Sequence, residues 1–444
     1  MPSDIMLDSL CIYRNLLEDP VIGRFQKLVN KTLAAGTAQA VRFIGLYAEF
    51  FNSLAAERPD LDFYSYMIEK ILFDDNPFTR QAGSADPVPD SMAPAVKSDL
   101  RTLQAAALLT SGRIKEYFCA NAGMGDIYKK TVGQLPDWNH FIPSNKTNGS
   151  ISATTTADVK AALLSADDWS GCYEKLKLFH QKNGCGAFAH YKAFIWQRSQ
   201  GAGRLVPVKN PDPVRLTDLI DYETERFEVV RNTENFLNGY PANNVLLYGD
   251  RGTGKSSTVK AILNEYHDRG LRVIEVPKNL LVDFAEIVSG LGQRNHKFIL
   301  FVDDLAFEDN EENYTALKAV LEGSLELKPS NVLIYATSNR RHLIKEKFSE
   351  RAGLQYGDSD DEVRAYDTMQ EKLSLSDRFG ITVVFSSPDK KRYLHIIDEL
   401  AARCGIDMDT EELHREALKW EMWYNGRSPR TAQQFIAWIK GGGI

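Results

Sequence analysis

The segment NNVLLYGDRGTGKSS, residues 243–257, limits the folds open to this chain more than any other part of it. An apolar run leads directly into Gly249, and Lys255 and Ser256 follow the last glycine, Gly254. Glycines let a backbone turn tightly, so that successive N–H groups can point inward at phosphate oxygens. The residues that follow have the pattern of a helix, whose amino end adds the positive end of its dipole. The order of strand, loop and helix therefore predicts a phosphate-binding loop.

Every residue of this loop is a candidate for nucleotide binding. Lys255 would neutralise the outer phosphates, and the hydroxyl of Ser256 would ligate Mg²⁺. Kinases, GTPases, transporters, motors and switches all hold nucleotides in this way, so the loop alone does not choose among them. The predicted nucleotide contacts are Gly249, Asp250, Arg251, Gly252, Thr253, Gly254, Lys255, Ser256 and Ser257.

Around the loop, short apolar runs alternate with helical segments, which is the pattern of a parallel sheet covered on both faces. NNVLLYG is the first predicted strand, and LRVIEV, KFILFVDD, NVLIYATSN and GITVVF follow it. Three shorter helices are predicted after the last strand, starting near residues 388, 410 and 429. The expected domains are an α/β core over 206–386 and a helical region over 387–444.

Residues 1–205 have a different, mainly helical pattern and form the expected N-terminal domain. The segment 37–57 has helical spacing, and a second helix is predicted over 99–118. SQGAGRLVPVKNPDP, 199–213, has the composition of a linker because Gly and Pro break both helix and strand. The face of the first helix that is predicted to be buried consists of Val41, Ile44, Ala48, Phe51 and Ala55.

Two acids end the third predicted strand, FILFV. The carboxyl edge of a central parallel strand would deliver Asp303 and Asp304 beside the phosphate loop. Asp303 is expected to bind Mg²⁺ directly or through water, and Asp304 to polarise an attacking water. A transporter or a kinase would use the first acid alone, so the second acid indicates hydrolysis. The alternative is an acid pair that only opens a surface loop.

ATSNRR, 336–341, ends the fourth predicted strand with a polar residue and resembles the same stretch of AAA+ ATPases. The resemblance implies that Asn339 is the sensor-1 residue, whose amide can donate to a phosphate oxygen and orient the attacking water. LSLSDRFG, 373–380, resembles the arginine-finger box of that family. It implies that Arg378 stabilises charge on the terminal phosphate held by a neighbouring subunit.

GRSPRTAQQF, 426–435, resembles the sensor-2 stretch of the helical lid in the same family. Ser428 is expected to cap a helix that Pro429 starts. That arrangement puts Arg430 on the first turn and implies that it is the sensor, with Arg427 as the alternative.

DLIDYETE, 218–225, resembles the short motif that packs on adenine, which implies Ile220 and Tyr222 as base contacts. Taken together, the motifs between about residues 184 and 439 resemble a bacterial family of P-loop ATPases that is catalogued as a domain of unknown function. The resemblance implies a P-loop NTPase core of the AAA+ type with a parallel sheet, a C-terminal three-helix lid, and ATP and Mg²⁺ as cofactors. A long acidic segment, 350–372, separates sensor 1 from the finger box. It is interpreted as a solvated connector, or else as a regulatory or partner surface.

Two functions remain open. The first is an ATP-hydrolysing AAA+ homo-oligomer, a ring or a spiral, that remodels an unknown client, which is a protein or a protein–DNA complex. The second is an ATP-dependent loader or binding switch that acts on a protein–nucleic acid complex with slow hydrolysis. Most of the superfamily carries Asp-Glu where this chain has Asp303-Asp304, and a shorter base favours slow turnover. The aromatic-apolar-Gly loop of protein unfoldases is absent after the second predicted strand, and so is the Asn-Lys-x-Asp signature of GTPases.

The composition of the chain limits which partners it can bind and in which compartment it is expected. The formal net charge of -7 does not support nucleic acid binding over the whole chain. No apolar run approaches the length of a membrane span, and acids near the start do not fit a secretory signal. The five cysteines are scattered, which suits reduced thiols. A cytoplasmic protein is therefore expected.

Overall fold

The structure describes most of the chain and divides it into two units. A computed structural model places residues 6–33, 40–84, 86–121, 125–138, 155–199, 201–292, 294–305, 311–322, 329–339, 378–424 and 426–442. The two compact units are Met1–His190 and Tyr191–Ile444. The acidic segment 350–372 and the part of the finger box before Arg378 lie outside the described residues. Within the described part of the chain, no helix combines the length and apolarity needed to cross a membrane.

The N-terminal unit is mainly helical, as predicted, and is built around an aromatic core. Phe25 lies 4.5 Å from Phe63 and 5.1 Å from Phe50 between ring centroids, and Trp138 packs edge-on against Phe50 at 5.1 Å. Edge-on and tilted contacts of this kind are the favoured arrangements of aromatic rings. Its helices are α1 (Pro20–Leu33), α2 (Ala40–Glu57), α3 (Phe63–Leu72), α4 (Pro77–Ala82), α5 (Ala93–Ala107), α6 (Ser111–Asn121), α7 (Asp126–Gly133), α8 (Thr156–Ser165), α9 (Tyr173–Asn183) and α10 (Gly186–His190).

Two details of this unit differ from the prediction. Helix α2 buries the stripe that contains Phe43, Tyr47 and Phe50, whereas Val41, on the predicted face, is 70% exposed. Both stripes have helical spacing, and the one with the larger aromatic rings is buried. The helix predicted over 99–118 is two helices, α5 and α6. Thr110 ends the continuity because its Oγ1 accepts a hydrogen bond from the N–H of Arg113 at 3.2 Å, as a helix-capping side chain does.

The C-terminal unit contains a seven-stranded sheet in the order β2-β1-β4-β5-β6-β3-β7. All five predicted strands form, and they are parallel to one another. Among the strand pairs of the described residues, only that of β1 with β2 is antiparallel. The strands are β1 (Ala193–Ser199), β2 (Ala202–Pro207), β3 (Val245–Gly249), β4 (Leu271–Glu275), β5 (Lys297–Val302), β6 (Val332–Ser338) and β7 (Ile381–Phe385). The helices on the sheet include α11 (Glu223–Leu237), α12 (Lys255–Tyr266), α13 (Phe284–Leu291) and α14 (Glu311–Glu322).

The hairpin β1–β2 corrects the predicted linker. The unit boundary lies between His190 and Tyr191 instead of near residue 205, because β1 pairs with β4 and extends the sheet. The glycines that were interpreted as linker residues serve the hairpin. Gly201 has a φ of 84°, and a Cβ on Gly203 would lie 2.0 Å from the ring of Trp196.

Three helices follow β7, as predicted: α15 (Lys390–Cys404), α16 (Thr410–Trp423) and α17 (Pro429–Lys440). Each begins with a side chain that caps its first turn: Asp389, Asp409 and Ser428. The three helices bury an apolar cluster of their own that includes Tyr393, Phe435 and Ile436. They form a lid beside the carboxyl edge of the sheet.

Candidate functional site

Sheet order determines which loops meet. Strands β5, β6 and β3 are neighbours and run parallel, so the residues that follow each of them lie at one edge. The residues after β5 are Asp303 and Asp304, β6 ends near Asn339, and the phosphate loop follows β3. A cavity of about 380 Å³ lies at this edge and is closed on its other side by the lid. Its walls include Arg251–Ser257 of the loop, Asp303, Asp304, Thr337, Asn339 and Arg430.

The loop has the backbone of a phosphate cradle. Gly249, Gly252 and Gly254 have φ values of 134°, 77° and 94°, in the left-handed range that favours glycine. A Cβ at Gly249 would lie 2.1 Å from the carbonyl oxygen of Phe385 in β7, so no larger residue fits there. The helix α12 begins directly after the loop, at Lys255. Its amino end therefore faces the cavity, where it favours an anion.

Lys255 is held against the carbonyl oxygens of the loop. Its Nζ donates to the carbonyl of Gly249 at 3.0 Å and to that of Asp250 at 2.6 Å. Burial lowers the pKa of the ammonium to about 8, although the carboxylates of Asp250, Asp303 and Asp304 act in the opposite direction. An anion in the cradle would favour the protonated ammonium further.

Gly249 and Asp250 do not line the cavity themselves; they anchor the loop to the end of β7. The N–H of Asp250 donates to the carbonyl of Phe385 at 2.9 Å. In return, the Asp250 carboxylate accepts from the N–H of Ser387 at 2.7 Å, which lowers the pKa of this carboxyl group. Both residues are predicted nucleotide contacts, but neither lines the cavity. In the structure they anchor the loop instead.

Ser256 and Asp303 face each other across a short hydrogen bond. The hydroxyl of Ser256 donates to Asp303 Oδ1 at 2.6 Å, and Thr337 donates to the same oxygen at 2.5 Å. Oxygen donors of this type suit Mg²⁺, which binds proteins through one or two carboxylates together with substrate phosphates. The residues therefore fit the predicted metal site, in which Ser256 and Asp303 would be the protein ligands.

Asp304 is fixed in an unusual backbone conformation beside Asn339. Its φ is 53°, which is uncommon for a residue other than glycine, although Asp tolerates it better than most. The amide Nδ2 of Asn339 donates to Asp304 Oδ1 at 2.6 Å. The predicted base and the predicted sensor 1 are thus brought into direct contact at the cavity.

The lid contacts the loop through the start of α17. The N–H of Arg430 donates to the carbonyl of Gly252 at 3.2 Å, and a Cβ on Gly252 would lie 2.9 Å from Ser428 Oγ. Arg430 lines the cavity. Arg427, the alternative sensor, instead forms two hydrogen bonds with Glu421, at 2.7 and 2.9 Å. The geometry thus places Arg430 at the cavity and pairs Arg427 within the lid.

The cavity also has apolar lining. Residues 218–220 contribute to its walls, with Ile220 among them, and so do Ile396 and Leu400 of α15. Arg226 of α11 also lines the cavity and donates to the carbonyl of Leu219 at 3.0 Å. Three of the lining residues, Arg226, Ile396 and Leu400, are not predicted from the sequence. The i, i+4 spacing of the two apolar lid residues was a usable signal, whereas nothing marked Arg226.

Tyr222 lies away from the cavity. It is 1% exposed, its ring lies 5.5 Å from that of Phe385, and its hydroxyl donates to the carbonyl of Ser386 at 2.6 Å. Consecutive left-handed residues, Asp221 and Tyr222, turn the chain here, with φ values of 62° and 65°. The implied contact between Tyr222 and adenine is therefore not what the structure shows.

Arg378 also lies away from the cavity of its own chain. It precedes β7, whose residue Ile381 pairs with Val245 at the start of β3, whereas Phe385 pairs with Gly249 at the loop. Because the two strands are parallel, Arg378 lies beyond the amino edge of the sheet. The structure thus separates this predicted residue from Asp304, Asn339 and Arg430.

These features define a class of protein. If β3, the strand before the phosphate loop, is numbered 1, then β4, β5, β6 and β7 are numbers 2 to 5. Their order across the sheet is then 2-3-4-1-5. Acids follow strand three, a polar residue follows strand four, and a three-helix lid closes the site. The fold is therefore that of a P-loop NTPase of the AAA+ type. The family model described as "Protein of unknown function (DUF815)" matches residues 189–443, which is more than half of the chain, and the chain belongs to that family.

Solved structures with a similar arrangement are distant in sequence. The Thermotoga maritima RuvB Holliday junction branch migration motor is 17% identical with a TM-score of 0.35, over 52% of this chain and 65% of that one. The replication initiator DnaA, bound to AMPPCP and single-stranded DNA, is 20% identical with a TM-score of 0.35, over 53% and 66%. AMPPCP-bound DnaA from Aquifex aeolicus is 21% identical with a TM-score of 0.33, over 52% and 66%.

This chain spans less than two thirds of the length of each of these proteins. No curated protein matches it. The strand order and the geometry of the site therefore identify the fold.

Proposed function

We propose that this chain binds ATP with Mg²⁺ and hydrolyses it, and that a cytoplasmic homo-oligomer of the chain uses the nucleotide state to remodel a protein client. The observation that carries the proposal is the contact between Asp304 and Asn339 beside the phosphate cradle. A site that only bound nucleotide would need the cradle and one acid. A second carboxylate, oriented by an amide, is what the attack of water requires in addition.

The cradle would hold the triphosphate through backbone N–H groups of the loop, the amino end of α12 and the ammonium of Lys255. ATP oxygens would replace the loop carbonyls that Lys255 now contacts. Mg²⁺ at Ser256 and Asp303 would supply positive charge to the phosphate oxygens. The apolar side chains of Ile220, Ile396 and Leu400 would contact the adenine base of ATP.

Hydrolysis would start from a water held between Asp304 and the terminal phosphate. Its oxygen forms a bond to the terminal phosphorus while the bond from phosphorus to the bridging oxygen breaks, and the Asp304 carboxylate accepts a proton from the water. Asn339 orients the carboxylate and can donate to the terminal phosphate. The products are ADP and phosphate. Arg430, supplied by the lid, would neutralise the charge that develops on the terminal phosphate.

Arg378 would act on the nucleotide of a neighbouring copy. Its location beyond the amino edge of the sheet supports this, because the loop lies at the opposite edge of the same strands. A ring or a spiral brings the two edges of adjacent copies together, since a head-to-tail interface repeats along the assembly. Such an arrangement would make turnover depend on assembly.

A second function, that of a loader or switch with slow hydrolysis on a protein–nucleic acid complex, is favoured by one observation. The segment after β4 forms a short helical turn, Lys278–Asp283, that continues into α13. It holds no aromatic-apolar-Gly loop with which to grip a polypeptide. The shorter base, Asp304, agrees with slow turnover.

The test compares the wild-type protein with Asp304→Asn, which keeps the shape of the side chain and removes the base. We expect ATP affinity, measured by calorimetry, to stay within about 3-fold, and turnover, measured as phosphate release, to fall at least about 100-fold. Equal turnover in both proteins would show that Asp304 is not the base. A wild-type protein that binds ATP and releases no phosphate would support the switch. The molecules that ATP-bound Asp304→Asn captures would distinguish the two functions. A captured peptide substrate would support remodelling of a protein client, and captured nucleic acid would support the loader or switch.

A further inference from the structure

The hydroxyl of Thr337, near the end of β6, lies between the two acids of the site. It donates to Asp303 Oδ1 at 2.5 Å and accepts from the N–H of Asp304 at 3.0 Å. A hydroxyl can do both because it carries one donor and two acceptor lone pairs. The residue is 2% exposed and forms part of the cavity wall.

Both contacts affect groups with a specific geometry. Asp303 Oδ1 accepts from Ser256 as well as from Thr337, so the two hydroxyls fix which way this carboxylate points. The N–H of Asp304 belongs to the residue with the left-handed φ of 53°. A hydrogen bond to that N–H stabilises a conformation that would otherwise be unfavourable, and the conformation directs the carboxylate of Asp304 to Asn339.

The pairing of the strands does not need this hydroxyl. The backbone of the same residue already continues the contact between β6 and the chain after β5, because the N–H of Leu305 donates to the carbonyl of Thr337 at 2.7 Å. Valine has the same shape as threonine and is favoured in strands. Replacement of the hydroxyl by a methyl group would therefore keep the strand and change only the two acids.

We propose that Thr337 is a positioning residue for hydrolysis: its hydroxyl sets the orientation of Asp303 towards the metal and the backbone of Asp304 towards the attacking water. The role rests on the proposed function, because it acts through the residues that carry that function. Thr337 itself does not exchange protons with the substrate.

The experiment uses the full chain and three variants. Thr337→Val removes the hydroxyl, and Thr337→Ser keeps it. The matched control is Thr233→Val, which removes a buried hydroxyl of α11 that contacts the carbonyl of Val229 and the hydroxyl of Tyr335 instead of the acids. For each protein we would measure kcat, ATP affinity with Mg²⁺ and with EDTA, and the melting temperature.

We expect kcat of Thr337→Val to fall about 10- to 100-fold, as is typical when a residue that hydrogen-bonds to a metal ligand is replaced. The kcat of Thr337→Ser should stay within about 3-fold of wild type. The gain in ATP affinity on adding Mg²⁺ should shrink in Thr337→Val, while affinity in EDTA stays unchanged. Thr233→Val should retain the kcat and the Mg²⁺ dependence of wild type.

Several results would overturn the role. One is a wild-type kcat and a wild-type Mg²⁺ effect in Thr337→Val; another is an equal loss of kcat in Thr337→Val and Thr233→Val, which would indicate a general packing effect. These outcomes leave the proposed function intact, because the wild-type protein still turns over. A wild-type protein with no ATP hydrolysis would instead remove the proposed hydrolysis and this role together.

Discussion

Arg392, in the first turn of lid helix α15, binds Asp221 through two hydrogen bonds of 2.7 and 2.9 Å. Its guanidinium also lies 4.6 Å from the ring centre of Tyr222, a distance typical of a cation–π contact. Asp221 directly follows the cavity wall formed by residues 218–220. At the other end of α15, Arg403 donates to the carbonyl of Thr217 at 2.9 Å. The lid helix α15 thus contacts both ends of the segment 218–220, which lines the predicted binding site for the adenine base.

Arg392→Ala should loosen that segment and the lid together. We expect a loss of about 1 kcal/mol in the free energy of unfolding, because the pair is partly exposed, and a several-fold weaker ATP affinity. Chemical denaturation and calorimetry measure the two effects. Lys391→Ala, an exposed neighbour in the same turn, is the control and should change neither quantity. Equal effects in both variants would mean that the Arg392–Asp221 pair does not couple the lid to the site.

Lys255 should make ATP binding depend on pH. Burial lowers the pKa of its ammonium to about 8, so about half of the side chains are neutral at pH 8 before ATP binds. Bound triphosphate favours the charged form, so we expect uptake of up to about half a proton per ATP at pH 8 and weaker binding above that pH. Calorimetry in buffers of different ionisation enthalpy measures this uptake. In Lys255→Ala, binding should be lost; unchanged affinity would contradict the assignment of the loop.

The same pKa predicts a change in stability without ATP. The pKa of Lys255 in the folded chain, about 8, lies below its ordinary value of 10.5, so the unfolded chain binds more protons between these values. The contribution of this residue to the free energy of unfolding therefore rises with pH from about 8 to about 10.5. The difference in unfolding free energy between the wild type and Lys255→Met, followed across this range, isolates the contribution. A constant difference would contradict the shifted pKa.

Arg430 and Arg427 should behave differently, although only two residues separate them. Arg430→Ala should weaken ATP binding about 10-fold or more, since a charged hydrogen bond to phosphate is lost, and should leave the melting temperature nearly unchanged. Arg427→Ala should lower the melting temperature, because Glu421 loses its partner inside the lid, with ATP affinity within about 3-fold. Nucleotide titration and thermal unfolding of the two variants distinguish the roles. The opposite pattern would make Arg427 the residue that contacts phosphate.

Much of the core could be predicted because its signals are local. Strands β3, β5 and β6 are mostly buried apolar runs that are followed by polar or glycine residues, and parallel packing puts those ends at one edge. This packing predicts that Asp303 and Asp304 lie beside the phosphate loop, and the resemblance to AAA+ ATPases implies that Asn339 lies near Asp304. The capping residue Ser428 and the proline after it likewise predicted the start of α17, which the structure places at Ser428 and Pro429.

The features that could not be predicted depend on tertiary contacts, which produce no periodic pattern in the sequence. Thr337 binds acids that lie more than thirty positions earlier, and its type is common in strands. Gly203 lies in a stretch with the composition of a linker, but in the structure it packs against the ring of Trp196. Tyr222 was assigned to adenine by motif, but two left-handed residues direct it into the core instead. Helix α2 carries two apolar stripes, and only tertiary packing selects the aromatic one.

Arg378 should affect hydrolysis between chains. Arg378→Ala is expected to lower turnover by about 1,000-fold when assembled, because an arginine supplied to the terminal phosphate stabilises charge in the transition state. Wild-type turnover per chain should rise with protein concentration as copies associate. A mixing experiment is the decisive control. Arg378→Ala and Asp304→Asn should each have strongly reduced turnover, yet a mixture of the two should regain activity, since one interface then joins an intact arginine to an intact Asp304. No regain in mixtures shown by light scattering to co-assemble would place Arg378 outside the neighbouring site.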